Sequence, residues 1–329
     1  MGRRIRGAEN TRMDGLTEHH YVDCPRQTPT CLVTSDVLDS IGHTPLIRME
    51  KMSEESGCAI LAKAEFLNPG GSVKDRIARH IILEAERRGD LRPGSTIVEV
   101  TSGNTGISLA MVGAMRGYKV RILMPRTVSR ERRQMIQSYG AEVQLLGQVN
   151  SMQEAIAETE KLTEGRDDIF LPRQFVNLDN IEAHRTTTGP EILRQLRDAP
   201  DAFVMGVGTG GTVMGVARAM RDADAGTEIY AVEPAESALM SGGPRGCHGI
   251  QGLADGFIPD LVHLREIDEI IRVSTPDAIE MSHRIAEFEG LLVGRSSGAN
   301  AVAAMRVARE LGPGHTIVTV LCDRGERYL

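Results

Sequence analysis

The sequence predicts an α/β fold of two three-layer domains with mainly parallel sheets. Three observations carry this reading. From Asp36 onward, short apolar runs alternate with longer amphipathic ones, the pattern of strands covered by helices on both faces of a sheet. The alternation comes in two sets, which implies two domains with a cleft between them. Glycine-rich segments sit where strands turn into helices, the place where such folds bind ligands.

The elements follow in order. Ala59–Lys63 reads as a strand, and Val73–Arg88 as a helix with Ile77, Ile81, Ile82 and Ala85 on one face. Strand Thr96–Val100, helix Thr105–Arg116, strand Lys119–Met124, helix Arg130–Tyr139 and strand Glu142–Leu146 come next, with a helix near Met152–Leu162. The second set begins with helix Glu182–Leu196 and strand Ala202–Gly206. Helix Thr212–Arg221, strand Glu228–Val232, helices Pro276–Glu289 and Gly298–Leu311, and strand Thr316–Leu321 complete it. Residues 1–35 show no period and read as a poorly ordered extension.

Composition narrows the function. With 41% hydrophobic and 25% charged residues, the 329-residue chain has the balance of a soluble globular protein. A net charge of −7 and 3% aromatics argue against a nucleic-acid binder. No apolar run approaches a membrane span. Cys24, Cys31, Cys58, Cys247 and Cys322 are odd in number and widely spaced, which argues against a disulfide framework or a metal site and for a cytoplasmic location. Arg3, Arg4, Arg6 and Arg12 precede no apolar stretch, so no secretory signal is expected.

Three segments carry the chemistry: Asn68-Pro69-Gly70-Gly71-Ser72-Val73-Lys74-Asp75-Arg76, Thr101-Ser102-Gly103-Asn104-Thr105-Gly106 and Gly208-Thr209-Gly210-Gly211-Thr212. Glycines at strand–helix turns let backbone N–H groups approach an anion at a helix N-terminus, and hydroxyls add donors. The third segment lacks both the G-x-G-x-x-G spacing of a dinucleotide site and the G-K-[ST] ending of a P-loop. Any one segment alone reads as a tight turn or helix cap. A lysine with two anion nests suits an amino acid together with a phosphorylated aldehyde.

In order and spacing these motifs, with Thr44-Pro45-Leu46, His184–Ile192, His248–Pro259 and Ser296-Ser297-Gly298-Ala299-Asn300, resemble the cysteine synthase (O-acetylserine sulfhydrylase) family of pyridoxal-phosphate enzymes. The resemblance runs from about Asp36 to Leu329. It implies fold type II, like the tryptophan synthase β-subunit, with a large cofactor-binding domain from 36–67 and 179–329 and a smaller mobile substrate-binding domain at 68–178. It implies pyridoxal 5'-phosphate as cofactor, with Lys74 forming the Schiff base, Asn104 on the ring hydroxyl, Gly208, Thr209, Gly210, Gly211 and Thr212 around the phosphate, and Ser296 facing the ring nitrogen. Thr101, Ser102, Gly103, Thr105 and Gln174 are implied to hold the substrate carboxylate. The implied reaction is β-replacement, making L-cysteine from O-acetyl-L-serine and sulfide through an aminoacrylate. A homodimer and a complex with serine acetyltransferase are implied partners.

The chain departs from the family pattern at Leu178 and Asp179, expected near the entrance to the site, and at Arg295, near the cofactor end. Alternative readings are O-phosphoserine or serine as donor, with Arg245 as a phosphate partner or a solvated loop residue, and thiosulfate, homocysteine or an amine as nucleophile. Cys24-Pro25 beside His19 and His20 raises heme ligation as a weaker alternative. A non-catalytic partner protein of the same fold is the rival from a different class, and the presence of Lys74 and the phosphate nest argues against it.

Overall fold

The computed structural model describes residues 34–329, Thr127 and Gln148 excepted. Residues 1–33 of the expected extension, with Cys24-Pro25, His19 and His20, lie outside the described residues.

In chain order the elements are β1 (Leu46–Arg48), α1 (Glu50–Ser56), β2 (Ala59–Ala64), α2 (Lys74–Arg88), β3 (Thr96–Val100), α3 (Asn104–Arg116), β4 (Lys119–Met124), α4 (Arg130–Ser138), β5 (Glu142–Leu145), α5 (Met152–Thr163) and β6 (Ile169–Phe170). There follow α6 (Asp179–Ala183), a π-helical turn at His184–Thr188, α7 (Gly189–Gln195), β7 (Ala202–Gly206), α8 (Gly211–Asp222), β8 (Glu228–Pro234), β9 (Glu269–Val273), α9 (Thr275–Glu289), α10 (Arg295–Leu311) and β10 (Thr316–Leu321). No described helix is long and apolar enough to cross a membrane.

The strands form two sheets. One has the order β1-β2-β10-β7-β8-β9, parallel except for β1 against β2; the other has the order β5-β4-β3-β6 and is parallel throughout. The chain therefore leaves the six-stranded sheet after β2, builds the four-stranded one from contiguous sequence, and returns. Alternate residues of the larger sheet face opposite ways, as the pleat requires. Val204 and Val232 pack against α9 and α10 through Ile285, Ala304 and Met305, while Phe203, Met205 and Ile229 pack against α8 through Val213, Met214 and Val216. In the smaller sheet Ile97 and Ile122 meet α3 and α4 through Ile107 and Ile136, and Val98 and Leu123 meet Ala155 of α5.

Sequence reading gave one helix at Glu182–Leu196 where the structure has three pieces. Thr186 Oγ1 and Thr187 Oγ1 donate to the carbonyls of Glu182 and Ala183 four residues back. Such bonds compete with the helical ladder and open it. β1, α1, β6 and β9 went unread: β1 and β6 are too short to show a period, and β9 carries Glu269 and Arg272 among its apolar residues.

A buried ionic cluster fixes α2 in place. The Arg76 guanidinium donates to both carboxylate oxygens of Glu65 (2.7 and 2.8 Å) and both of Glu191 (2.8 and 2.8 Å). Lys63 Nζ lies 2.7 Å from Glu191. Burial alone would raise both carboxyls, but the Arg76 charge and its hydrogen bonds override it and hold each at about 2.

Candidate active site

The turns after β3 and β7 and the start of α2 meet at two adjoining cavities of about 480 and 450 Å³, which share Lys74, Asn104, Gly208, Thr209, Gln251 and Gly252 on their walls. Of the sequence-predicted site residues, all but Gly211 line one cavity or the other. Gly211 instead packs on α6: an added Cβ would stand 1.8 Å from Asn180 Oδ1.

Lys74 opens α2 and is held there by its neighbours. Val73 N–H donates to the Cys322 carbonyl at 2.9 Å, and Ser72 bridges to Asp323. Burial lowers the Lys74 pKa, and the nearby Asp255 and Asp323 carboxylates oppose that shift. An amine whose protonated form is disfavoured is suited to attack an aldehyde and to take a proton.

The Thr101–Gly103 turn and α3 form the wall of the first cavity. Gly103 N–H donates to Thr101 Oγ1 at 3.2 Å, and Thr105 Oγ1 donates to Gln174 Oε1 at 2.6 Å. Behind them the Glu99 carboxylate accepts from the N–H groups of Val100 (3.0 Å) and Gln174 (3.2 Å); burial raises its pKa to about 7. Arg132 Nη1 donates to the Ser102 carbonyl at 3.1 Å and Nη2 to Gln251 Oε1 at 2.6 Å, with the guanidinium 5.2 Å from the Tyr328 ring centre.

The second cavity is closed by the first turn of α8. Gly210 has φ +88°, a left-handed conformation that favours glycine, and caps the helix. The first-turn N–H groups of a helix have no partner within it, and its dipole favours an anion there. Thr209 Oγ1 accepts from Asn180 Nδ2 at 3.0 Å, and Thr212 Oγ1 lies 3.2 Å from His184 Nε2, so the π-helical turn braces this loop. Ser296 and Cys322 line the other end, and burial pushes the Cys322 thiol up to about 12. Asn104 Nδ2 donates to Asp323 Oδ2 at 2.6 Å, and Asn104 Oδ1 accepts from Arg327.

This donor set fits pyridoxal phosphate. The α8 N-terminus and the Thr209 and Thr212 hydroxyls suit the phosphate, and the lysine suits the aldehyde. Gly208 is packed against the backbone of the facing loop: a Cβ there would stand 2.3 Å from the Gly252 carbonyl oxygen, so a side chain would push the two cavity walls apart.

The departures Leu178, Asp179 and Arg295, and the loop residue Arg245, all lie off the walls of the two cavities. Leu178 and Asp179 line neither cavity: Leu178 is 61% exposed, and the Asp179 carboxylate takes two hydrogen bonds from Arg88. Arg295 Nη1 donates to the Gly249 carbonyl at 3.2 Å. Arg245 is exposed and outside both cavities. Sequence reading missed Arg132, Gln251, Asp255, Asp323 and Tyr328. Gln251 and Asp255 stood within the quoted His248–Pro259 motif and could have been weighed; nothing in the sequence marks Arg132 among its neighbouring arginines.

A family described as pyridoxal-phosphate dependent enzyme matches residues 37–323. The cysteine synthase of Staphylococcus aureus (strain Mu50 / ATCC 700699) is 47% identical over 295 residues, spanning 89% of this chain and 95% of the relative. The solved structure of cysteine synthase (OASS) from Entamoeba histolytica has a TM-score of 0.87 at 40% identity, covering 92% of this chain and 91% of that one. O-ureido-L-serine synthase has a TM-score of 0.85 at 40% identity, covering 90% and 94%. The chain belongs to the pyridoxal-phosphate dependent enzymes, in the group of the cysteine synthases.

Proposed function

We propose that this enzyme makes L-cysteine from O-acetyl-L-serine and sulfide. The observation that carries the reading is Lys74 standing on the shared wall of two cavities, one lined by the Thr101–Thr105 turn and the other by the α8 N-terminus. When bound, pyridoxal phosphate supplies an aldehyde that condenses with amines and a conjugated ring that draws electrons from Cα. Gly208, Thr209, Gly210 and Thr212 would hold its phosphate, Asn104 would meet its ring hydroxyl, and Ser296 would meet its ring nitrogen. A neutral hydroxyl at that nitrogen favours loss of a β-substituent, which carries the electrons away itself. Thr101, Ser102 and Thr105 bind the substrate carboxylate, with Gln174 seated against Thr105. Lys74 Nζ takes the Cα proton as acetate departs and returns it after sulfide has bonded to Cβ.

The segment 68–178, which contains the four-stranded sheet, is the body that closes over substrate, and the enzyme works in the cytoplasm as a homodimer able to pair with serine acetyltransferase. The test is cysteine formation by purified holoenzyme given O-acetylserine and sulfide. Turnover at an ordinary enzymatic rate supports the assignment; no cysteine in the presence of bound cofactor overturns it.

A further inference from the structure

One group on the cavity wall has no part in the scheme above. Asp255 lines the first cavity with Lys74 and the Thr101–Thr105 turn. Among the described residues its carboxylate makes no hydrogen bond and no ion pair. The residue before it, Ala254, has φ +46°, a left-handed conformation in a non-glycine residue. That backbone is held by Ala254 N–H donating to the Val207 carbonyl at 3.0 Å and by His248 Nε2 donating to the Ala254 carbonyl at 3.1 Å. The chain thus accepts local strain in presenting an unpaired acid to a cavity that must also admit an amino-acid carboxylate.

We propose that Asp255 is the acid–base group for the substituent on the substrate's β-carbon, and that it extends the donor range to L-serine, whose hydroxyl must leave as water. The inference rests on the β-replacement reading above. Acetate departs as a stable anion and needs no proton. Hydroxide is a strong base and does not leave unaided. In the serine reaction the Cβ–O bond breaks, both its electrons stay on oxygen, and the Asp255 proton moves to that oxygen, so that water departs. The Cα–H electron pair becomes the second Cα–Cβ bond, and Lys74 Nζ takes that proton. Hydrogen sulfide then bonds to Cβ through sulfur while one of its protons passes to the Asp255 carboxylate, and Lys74 returns its proton to Cα. The sum is serine and hydrogen sulfide to cysteine and water, with both protein groups restored.

The setting suits both halves of this cycle. Burial raises the Asp255 pKa to about 6, against the opposing charges of Lys74 on α2 and His248 in the preceding loop. Arg132 of α4 and Tyr328 face the same cavity. Because His248 Nε2 carries the hydrogen donated to Ala254, its Nδ1 is the free ring nitrogen; it is buried without a partner among the described residues. A carboxyl that titrates near 6 holds its proton long enough to give it and is basic enough to recover one.

The experiment compares the holoenzyme with its Asp255→Asn and Asp255→Ala variants, using sulfide and either O-acetylserine or L-serine. The wild type makes cysteine from both donors, and its serine rate falls as pH rises through about 6. In both variants the ratio of serine rate to O-acetylserine rate drops by about 100-fold, the lower range for loss of a general acid–base group. Thermal unfolding gives a second reading, independent of turnover. A raised carboxyl pKa adds stability below its ordinary value of 3.8 that is lost as pH rises through about 6. The difference in Tm between wild type and Asp255→Asn therefore shifts in favour of the variant across that interval. Cysteine from O-acetylserine but none from serine in the wild type overturns the proposal and leaves the main function standing. So does an equal loss with both donors, or a Tm difference that does not change with pH. Cysteine from neither donor removes the β-replacement reading and this inference together.

Discussion

Thr105 Oγ1 donates to Gln174 Oε1 at 2.6 Å, so the first turn of α3 and the loop after β6 are tied together at the wall of the cavity. Gln174 Nε2 leans on the Val100 carbonyl at 3.4 Å, and the Gln174 N–H rests on Glu99. The hydroxyl thus positions a second cavity-lining side chain as well as its own turn.

Thr105→Ala removes that tie and, with it, the hydroxyl proposed to turn to the substrate carboxylate when substrate binds. Loss of a hydrogen bond to a charged group costs about 1.5–3 kcal/mol, roughly 10- to 150-fold in affinity. The expected result is a higher midpoint in a spectral titration with O-acetylserine, with the resting cofactor spectrum unmoved. An unchanged midpoint places the carboxylate off this turn.

Lys74→Ala keeps the fold, because α2 is held by Arg76 rather than by the lysine. The variant holds pyridoxal phosphate without a covalent link, borohydride fixes none of it to the chain, and cysteine formation ceases. Turnover near the wild-type rate is the outcome that removes Lys74 from the mechanism.

Gly210→Asp brings a negative charge to the anion site at the start of α8. The structure adds a second penalty: φ is +88° and a Cβ would stand 2.6 Å from Val262 Cγ2. The left-handed backbone alone costs about 1–2 kcal/mol. Cofactor affinity falls by more than tenfold and Tm drops as well, both measurable on the same sample. Full cofactor affinity in the variant shows that the phosphate binds elsewhere.

The Arg76 cluster sets acid stability. Glu65 and Glu191 have pKa values lowered from the ordinary 4.5 to about 2, so their stabilisation is complete above 4.5 and is lost as pH falls toward 2. Glu65→Gln leaves the buried guanidinium half-paired, at a cost of about 3–5 kcal/mol. Urea midpoints from pH 7 down to pH 2 check both statements: the wild type falls steeply below 4.5, and the variant starts lower and falls less.

Much of this site was legible because its parts are turns, and turns are written locally. Thr101–Thr105 and Gly208–Thr212 each follow a strand read to its observed bounds, Thr96–Val100 and Ala202–Gly206. What stayed hidden depends on distant pairings. Arg132 reaches the cavity because α4 lies across Ser102, and Asp323 meets Asn104 across 219 positions. The π-helical turn was also hidden, since a threonine that bonds back to its own helix is indistinguishable in sequence from one facing solvent. Arg295 and Asp179 look alike in sequence as charges near the site, yet one meets a backbone carbonyl and the other an arginine.

The strand order also sets a timetable for synthesis. β10 lies between β2 and β7 in the larger sheet yet follows all its neighbours in sequence, whereas β3 to β6 are contiguous and pair only among themselves. A chain emerging from the ribosome can complete the smaller sheet while the larger one still has a gap at its centre. Until β10 fills it, β2 and β7 each present an unpaired edge, the surface on which chains misassociate. Cys322 and Asp323 directly follow β10 and line the second cavity, so that cavity is complete only when the gap closes.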